Sequence, residues 1–215
     1  MNNFTHLHVH TQFSLLDGAA KIPDLVSYAK ELGMTSLAIT DHGVMYGAVD
    51  FYQECKKQGI KPILGCEVYV TTGSHLERNN RGLFHLILLA ENLEGYHNIM
   101  KMVSLSQLEG FYYKPRVDKD ILRAHSKGVI CLSACIAGEL PVLIQQGNMD
   151  GARRCLEEHI EIFGKENYFL EIQNHGLTEQ LEINPKIAQI SKETGIPLVA
   201  TNDVHYIKKV DWEAH

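Results

Sequence analysis

The chain has 215 residues, of which 45% are hydrophobic, so it can bury a core and we expect it to form one large domain, residues 1–215. Its 20 Lys and Arg against 26 Asp and Glu give a formal charge of −6, which excludes nucleic-acid binding through bulk positive charge alone. The sequence lacks a membrane-length apolar run and a signal peptide, so we expect a cytoplasmic protein with no membrane partner. Its five cysteines lack the spacing of a disulfide framework, so we expect reduced thiols.

The segment His6-Leu7-His8-Val9-His10 alternates imidazoles with apolar side chains. On an extended strand its histidines share one face. Burying several imidazoles costs free energy unless each has a partner, and the usual partner of clustered neutral imidazoles is a divalent metal. A solvent-facing edge strand with incidental histidines is the alternative that this segment alone leaves open.

Strand-like and helix-like patterns alternate along the whole chain. Taken in order they predict a strand at 4–10, a helix at 22–32, a strand at 35–40, a helix at 47–58, strands at 61–70 and 84–90, a helix at 94–108, a strand at 128–133, helices at 138–146 and 149–163, a strand at 168–173, a helix at 179–194 and a strand at 197–201. So many strands in a chain of this length favour an α/β fold with a largely parallel sheet closed into a small barrel.

Polar residues that could bind metal gather at the ends of these strands, where barrels of this type carry their chemistry. The candidates are His8, His10, Asp17, His42, Glu67, His85, Cys135, Asp203 and His205. They are too many for one tetrahedral ion and suit two or three divalent ions, with a carboxylate such as Glu67 between a pair. The mixture of imidazole, carboxylate and one thiolate favours zinc, manganese or iron.

One candidate, His85, opens its predicted strand and would lie at the wrong end of an all-parallel barrel. We therefore predict that strands 61–70 and 84–90 form an antiparallel hairpin, which returns His85 to the Glu67 end. The helix at 94–108 would then deliver the loop 110–118, with Lys114 and Arg116, to the mouth of the site.

Several separated motifs carry a resemblance to a known family. His8-Val9-His10-Thr11, Thr40-Asp41-His42-Gly43, Gly65-Cys66-Glu67 and Asn202-Asp203-Val204-His205 resemble the motifs of the PHP (polymerase and histidinol phosphatase) superfamily. The stretches at 12–18, 110–116 and 200–206 are more narrowly similar to the amino-terminal PHP domains of bacterial DNA polymerase III alpha subunits.

The resemblance implies a distorted seven-stranded barrel, similar to a TIM barrel, that holds three ions. By analogy one ion would be held by His8, His10, Glu67 and Asp203, a second by Glu67, His85 and Cys135, and a third by Asp17, His42 and His205. Asp41 would accept a hydrogen bond from an imidazole N–H, as partners of metal-bound histidines do. His6 has no counterpart among the ligands.

The resemblance also implies metal-dependent 3′–5′ exonuclease activity, used in proofreading during DNA replication. Lys114 and Arg116 could hold phosphates of the DNA strand, and Tyr112 or Tyr113 could stack on a base. The alternative for this loop is packing on a neighbouring domain.

Two other functions stay open at this stage. One is a free-standing phosphatase of small phosphomonoesters, similar to histidinol phosphatase, and the other is a silent, metal-stabilised scaffold that docks the polymerase body or a separate exonuclease subunit of the replisome. The stretch 207–215 indicates an unfinished helix, and polymerase carboxylates are not evident, so we expect a part of a longer alpha subunit that does not polymerise by itself.

Overall fold

Strands and helices alternate along the chain in the computed structural model, which describes residues 4–213. The strands are β1 (Ser36–Ile39), β2 (Lys61–Thr71), β3 (Leu83–Ala90), β4 (Arg116–Val117), β5 (Val129–Leu132), β6 (Tyr168–Ile172) and β7 (Leu198–Ala200). The helices are α1 (Ile22–Glu31), α2 (Ala48–Gln58), α3 (Leu93–Leu108), α4 (Lys119–Ala124), α5 (Glu139–Gln145), α6 (Met149–Phe163) and α7 (Thr178–Thr194), and a 3₁₀ turn spans Lys209–Glu213. Within residues 4–213 no helix is long and apolar enough to cross a membrane.

Local sequence signals set the ends of the helices. α2 stops at Gly59, whose φ of 77° suits a residue without a Cβ. The side chain of Asn92 caps α3 by accepting a hydrogen bond from the backbone N–H of Gly95 at 3.0 Å. Each of the six helices predicted between residues 22 and 194 is present, with bounds that agree to within one residue.

The central hairpin predicted from the position of His85 is confirmed. β2 pairs antiparallel with β3, and Tyr69 lies opposite His85. Gly65 is required where these strands meet, because a Cβ there would lie 2.2 Å from the carbonyl oxygen of Leu88. The other neighbours are parallel, apart from β3 and β5, in the order β1-β2-β3-β5-β6-β7.

The amino-terminal segment, residues 6–10, closes this sheet into a barrel. On one side the N–H of His10 donates to the carbonyl of Val204 at 2.7 Å, and the N–H of Val204 donates to the carbonyl of His8 at 3.1 Å. On the other side the N–H of Ala38 in β1 donates to the carbonyl of His6 at 2.9 Å. The predicted barrel is confirmed, but residues 4–10 are an irregular extended segment rather than the regular strand that was predicted.

Two short elements, β4 and α4, were not predicted. β4 pairs with β2 within the segment that was expected to be a loop, and it is too short to show periodicity. Asp118 caps α4 by accepting from the N–H of Ile121 at 3.0 Å. At the other end of the chain, the helix predicted from residue 207 is a 3₁₀ turn, and residues 214–215 of that prediction lie outside the described residues.

The barrel interior is apolar below its mouth. Ala38, Ile87 and Leu132 come from three different strands and pack together. Ile63, Gly65 and Glu67 alternate along β2, so they share the inward face of that strand. Glu67 is therefore placed inside the barrel, one step above the apolar layer.

Candidate metal centre

All nine residues predicted from sequence come together at one mouth of the barrel. His8 and His10 lie on the closing segment, Asp17 and His42 on the loops before α1 and after β1, Glu67 and His85 on the central hairpin, Cys135 after β5, and Asp203 and His205 after β7. The hairpin is essential to this arrangement, because it brings His85, near the start of β3, back to the mouth.

Glu67 is the centre of the cluster and is 1% exposed. Its Oε1 lies 3.2 Å from Nε2 of His8 and 2.9 Å from Nδ1 of His85. Its Oε2 contacts Nδ1 of His42. A carboxylate that faces imidazoles from three directions is placed to bridge cations.

A second carboxylate, Asp203, faces the first two histidines. Its Oδ1 lies 3.1 Å from Nε2 of His8 and 3.2 Å from Nε2 of His10. At the open side, Oδ2 of Asp17 lies 2.8 Å from Nε2 of His42 and 3.2 Å from Nε2 of His205. The rings of His42 and His205 stack on that of His10, with centroids 4.0 and 4.3 Å away.

The donor atoms of this cluster fit divalent metal ions. Six buried atoms make no hydrogen bond, namely Nε2 of His8, Nε2 of His10, Nδ1 of His42, both oxygens of Glu67 and Oδ1 of Asp203. Buried polar atoms without partners cost free energy, and so many on facing side chains are explained by cations shared between them. The cluster could therefore hold more than one divalent ion.

Three groups of ligand atoms lie within 4.8 Å of one another in the cluster: His8 with His10 and Asp203, Glu67 with His85 and Cys135, and His10 with His42 and His205. The second group is a set that the resemblance implies, and the first is such a set without Glu67. The third differs, because it includes His10, whereas Asp17 joins it only through contacts with the other two rings.

Hydrogen bonds behind the cluster fix which ring nitrogens face its centre. Ser14 donates its hydroxyl hydrogen to Asp41 at 2.7 Å, so at 3.0 Å it can only accept from Nδ1 of His10. This leaves the Nε2 lone pair of His10 pointing into the cluster. Asp41 thus acts on His10 through Ser14, and the prediction that it accepts an imidazole N–H directly was wrong.

His8 is oriented in the same way by Glu171, which the sequence analysis missed. Oε1 of Glu171 accepts from Nδ1 of His8 at 2.8 Å and from Nε2 of Gln173 at 2.9 Å, and it also accepts from the Thr201 hydroxyl. A carboxylate inside the apolar run of β6 was a signal that could have identified it. Ser14 gave no comparable signal.

Burial and neighbouring charges set the protonation of these side chains. Burial opposes protonation of His8, but Glu171, Glu67 and Asp203 raise its pKa, so a cation that binds there must displace a proton. Burial lowers the pKa of His10 to about 4, so its imidazole is neutral near pH 7. Burial opposes ionisation of Asp203, but the adjacent His10 and His8 imidazoles lower its pKa to about 2. Burial, together with Glu67 and Asp203, raises the pKa of the Cys135 thiol to about 12, so a cation that binds there must displace a proton.

Backbone strain is concentrated around this site. Among residues 4–213, four non-glycine residues have positive φ angles, Leu16 (66°), Tyr113 (62°), Ala134 (65°) and Asp203 (47°). Each is a candidate residue or the neighbour of one, since Asp17, Lys114 and Cys135 follow the first three. Such conformations persist only where the surroundings enforce them, and they are typical of functional sites.

Lys114 and Arg116, the two predicted phosphate contacts, have different environments. Lys114 is exposed, and its Nζ lies 3.5 Å from the Tyr69 hydroxyl beside His42. Arg116 is completely buried, and its guanidinium donates to the carbonyl oxygens of Gly110, His75, Glu77 and Asn80. The predicted phosphate contact at Arg116 was therefore wrong, because its donors are used to join the loop 73–82 to the loop before β4.

A cleft of about 590 Å³ opens beside the cluster. Asp17, His42 and His85 line it, so ligand candidates are accessible from the cleft. Leu15, Leu16, Tyr46 and Lys114 also line it. A substrate that reaches these histidines and Asp17 through the cleft would therefore meet both apolar side chains and one cation.

Comparison with known proteins connects this geometry to a family. Residues 6–175 match the profile of the family described as PHP domain. DNA polymerase III subunit alpha of Treponema pallidum is 47% identical over 213 residues, and that of Thermus aquaticus is 48% identical over 219 residues. These matches cover 97% and 99% of the chain but only 18% of each relative, and they confirm the resemblance drawn from the motifs.

Solved structures with low sequence identity share the fold. A protein from Bifidobacterium adolescentis that is assigned as a metal-dependent phosphoesterase has a TM-score of 0.63 at 14% identity, over 97% of this chain and 90% of its own. An amidohydrolase from Chromobacterium violaceum has a TM-score of 0.55 at 13% identity, over 94% of this chain and 87% of its own.

Proposed function

The chain belongs to the PHP domain family, and from this premise we propose that it is the PHP domain of a bacterial DNA polymerase III alpha subunit and a metal-dependent 3′–5′ exonuclease. The observation that carries the activity is the set of buried atoms without hydrogen bonds that face one another around Glu67. Sequence identity of 47% to the alpha subunit of Treponema pallidum supports the choice of DNA as substrate.

We assign three divalent ions to the cluster. One would be held by His8, His10, Glu67 and Asp203, the second by Glu67, His85 and Cys135, and the third by Asp17, His42 and His205. The thiolate favours zinc at the second position, and the nitrogen and oxygen ligands elsewhere suit zinc, manganese or iron. When bound, such ions supply Lewis acidity toward a phosphoryl group and an acidic water near neutral pH.

The side chains of the protein perform the remaining tasks. His8 and His10 turn their Nε2 atoms toward the cluster because Glu171 and Ser14 bind their Nδ1–H groups on the other side. Lys114 is placed to hold a phosphate of the strand, since its ammonium is exposed beside the accessible His42 and Asp17. Burial raises the pKa of Tyr69, so its hydroxyl is a hydrogen-bond donor to the same region.

We propose that the domain extends over residues 1–215, beyond the profile match that ends at residue 175. β7 and Val204 complete the barrel, and Asp203 and His205 complete the cluster. The chain spans less than a fifth of the alpha subunits it matches. The partners proposed for it are therefore the other domains of such a cytoplasmic subunit, DNA, and a separate exonuclease subunit of the replisome.

The activity is tested with the full chain loaded with Mn²⁺ or Zn²⁺ and offered single-stranded DNA, a mismatched primer end and β-glycerophosphate. We expect mononucleotides to be released from 3′ ends by the wild type and by Asp120→Asn, whose side chain is 94% exposed, but not by Asp203→Asn. Hydrolysis of the monoester alone would favour a phosphatase. Inertness of metal-loaded protein toward all three substrates would favour a scaffold.

A further inference from the structure

The loops that carry Asp17 and His42 also carry exposed apolar side chains. Leu15 is 72% exposed, Leu16 is fully exposed and Tyr46 is 65% exposed, and all three line the cleft beside the cluster. Single exposed apolar residues are common on protein surfaces, but a group that lines a cleft indicates a binding surface.

Hydrogen bonds hold the loop that carries the two leucines in a closed turn. Its turn is closed by hydrogen bonds from Ser14 N–H to the Thr11 carbonyl at 2.9 Å and from Gly18 N–H to the Ser14 carbonyl at 2.8 Å. A Cβ on Gly18 would lie 2.1 Å from the Thr11 carbonyl oxygen, so the turn tolerates only glycine at that position. The Ser14 hydroxyl ties the same turn to Asp41 at 2.7 Å.

Leu16 is an unfavourable residue for its position if folding alone is considered. Its φ of 66° lies in the left-handed region, which is unfavourable for a residue with a Cβ. Because its side chain is fully exposed, burial in the protein does not offset this cost. A ligand that covers the Leu16 side chain would offset the cost of this conformation.

The cleft also contains a cation. Lys114 lies with its Nζ 5.2 Å from the centre of the Tyr69 ring, and it lines the cleft together with the leucines. A ligand with both an anionic phosphate and a flat apolar face matches this combination, and a nucleotide has both. A small polar phosphomonoester would leave the leucines in water.

The tyrosines considered in the sequence analysis are engaged elsewhere. The guanidinium of Arg81 lies 4.0 Å above the ring of Tyr113, and that of Arg116 lies 5.1 Å from the ring of Tyr112. Tyr46 lines the cleft, whereas Tyr112 and Tyr113 are not among the described residues that do so. Of the two described tyrosines that line the cleft, Tyr69 is buried, so Tyr46, on the loop after His42, offers the exposed ring.

We propose that Leu15, Leu16 and Tyr46 form a binding surface for the terminal nucleobases of single-stranded DNA, while Lys114 contacts the phosphate between them. This inference rests on the proposed function and names what its site recognises, which is a base as well as a phosphate. It predicts that the protein distinguishes a normal 3′ end from one that lacks its bases.

The test is fluorescence anisotropy in EDTA, where cleavage does not interfere, with 5′-labelled oligodeoxythymidylate and the same strand with abasic 3′-terminal nucleotides. The main variant is Leu15→Ala with Leu16→Gly, in which glycine also relieves the strain at residue 16. The second is Tyr46→Ser, and the matched control is Leu108→Ala, at a leucine that is 83% exposed and does not line the cleft.

We expect the wild type and Leu108→Ala to bind the normal strand at least about tenfold more tightly than the abasic strand, because contact with one base contributes about 1–3 kcal/mol. The cleft variants should bind both strands with the weaker affinity. Equal binding of the two strands by the wild type, or an undiminished preference in both cleft variants, would overturn the inference. If the preference behaves as expected but no metal-loaded protein cleaves DNA, the exonuclease proposal fails and the binding surface stands.

Discussion

Replacing Glu171 with glutamine tests whether a buried carboxylate sets the metal affinity of this site. Oε1 of Glu171 lies 2.8 Å from Nδ1 of His8, and both side chains are completely buried. Glutamine has nearly the same size and can still accept from Gln173 and Thr201, but it lacks the negative charge that holds the proton on Nδ1. Nε2 of His8 would then lose its fixed role as a lone-pair donor to the cluster.

Two estimates of the effect agree. A hydrogen bond to a charged partner contributes about 1.5–3 kcal/mol when it is buried. Loss of a residue that orients a metal-bound histidine typically lowers metal affinity about 10- to 100-fold, which corresponds to about 1.4–2.7 kcal/mol. We therefore expect Glu171→Gln to weaken binding at the position of His8, His10 and Asp203 by one to two orders of magnitude.

The measurement is competition for Zn²⁺ against a chromophoric chelator, with urea unfolding of the metal-free protein alongside. The control is Glu161→Gln, because the Glu161 side chain is 72% exposed and its contact with Arg123 is 3.9 Å long. The control should bind zinc like the wild type. If Glu171→Gln also binds zinc with wild-type affinity while remaining folded, Glu171 does not orient His8 and the assignment of His8 as a ligand loses its support.

Three further outcomes can be measured. Cys135→Ser should lower the zinc content per chain by about one ion in elemental analysis, because the thiolate is the soft ligand of its group. Mn²⁺ binding should change less. An unchanged zinc content would exclude the thiol as a ligand. Because burial lowers the pKa of His10 to about 4 from 6.5, the unfolded metal-free chain takes up a proton in this interval that the folded protein does not. His10 alone should therefore contribute a loss of about 3 kcal/mol in the free energy of unfolding in urea as the pH falls from 6.5 to 4. His10→Gln should show a smaller loss, and an equal loss would refute the assignment. Lys114→Ala should weaken DNA binding and reduce its salt dependence by about one ion without changing the melting temperature. Arg116→Lys should instead lower the melting temperature, because a single ammonium cannot replace the four carbonyl contacts of the guanidinium. The reverse pattern would contradict the burial of Arg116.

Features with a local signal were the ones predictable from sequence. The helices follow from apolar spacing and glycine stops, and the antiparallel hairpin followed from one misplaced residue, His85. The convergence of the nine candidates followed from their positions at strand ends. These arguments need only the order of elements along the chain.

Features that depend on distant contacts were missed. Glu171 meets His8 across 163 positions in sequence, and Arg116 is buried because carbonyls from two separate loops converge on it. A basic residue in a loop is usually exposed, so composition favoured the wrong environment for Arg116. Asp41 was placed correctly behind a histidine, but the intervening Ser14 could be identified only in three dimensions.

The closure of the barrel by residues 6–10 has a consequence for folding. The seam between this segment and Val204 is also where His8 and His10 meet Asp203, and Asp17 contacts His205 across 188 positions. Contacts of such long range form late and slowly, since most of the chain must be ordered before they can form. A cation bound across the seam would link the two ends of the domain in the folded state. Its removal should therefore speed unfolding more than it slows folding.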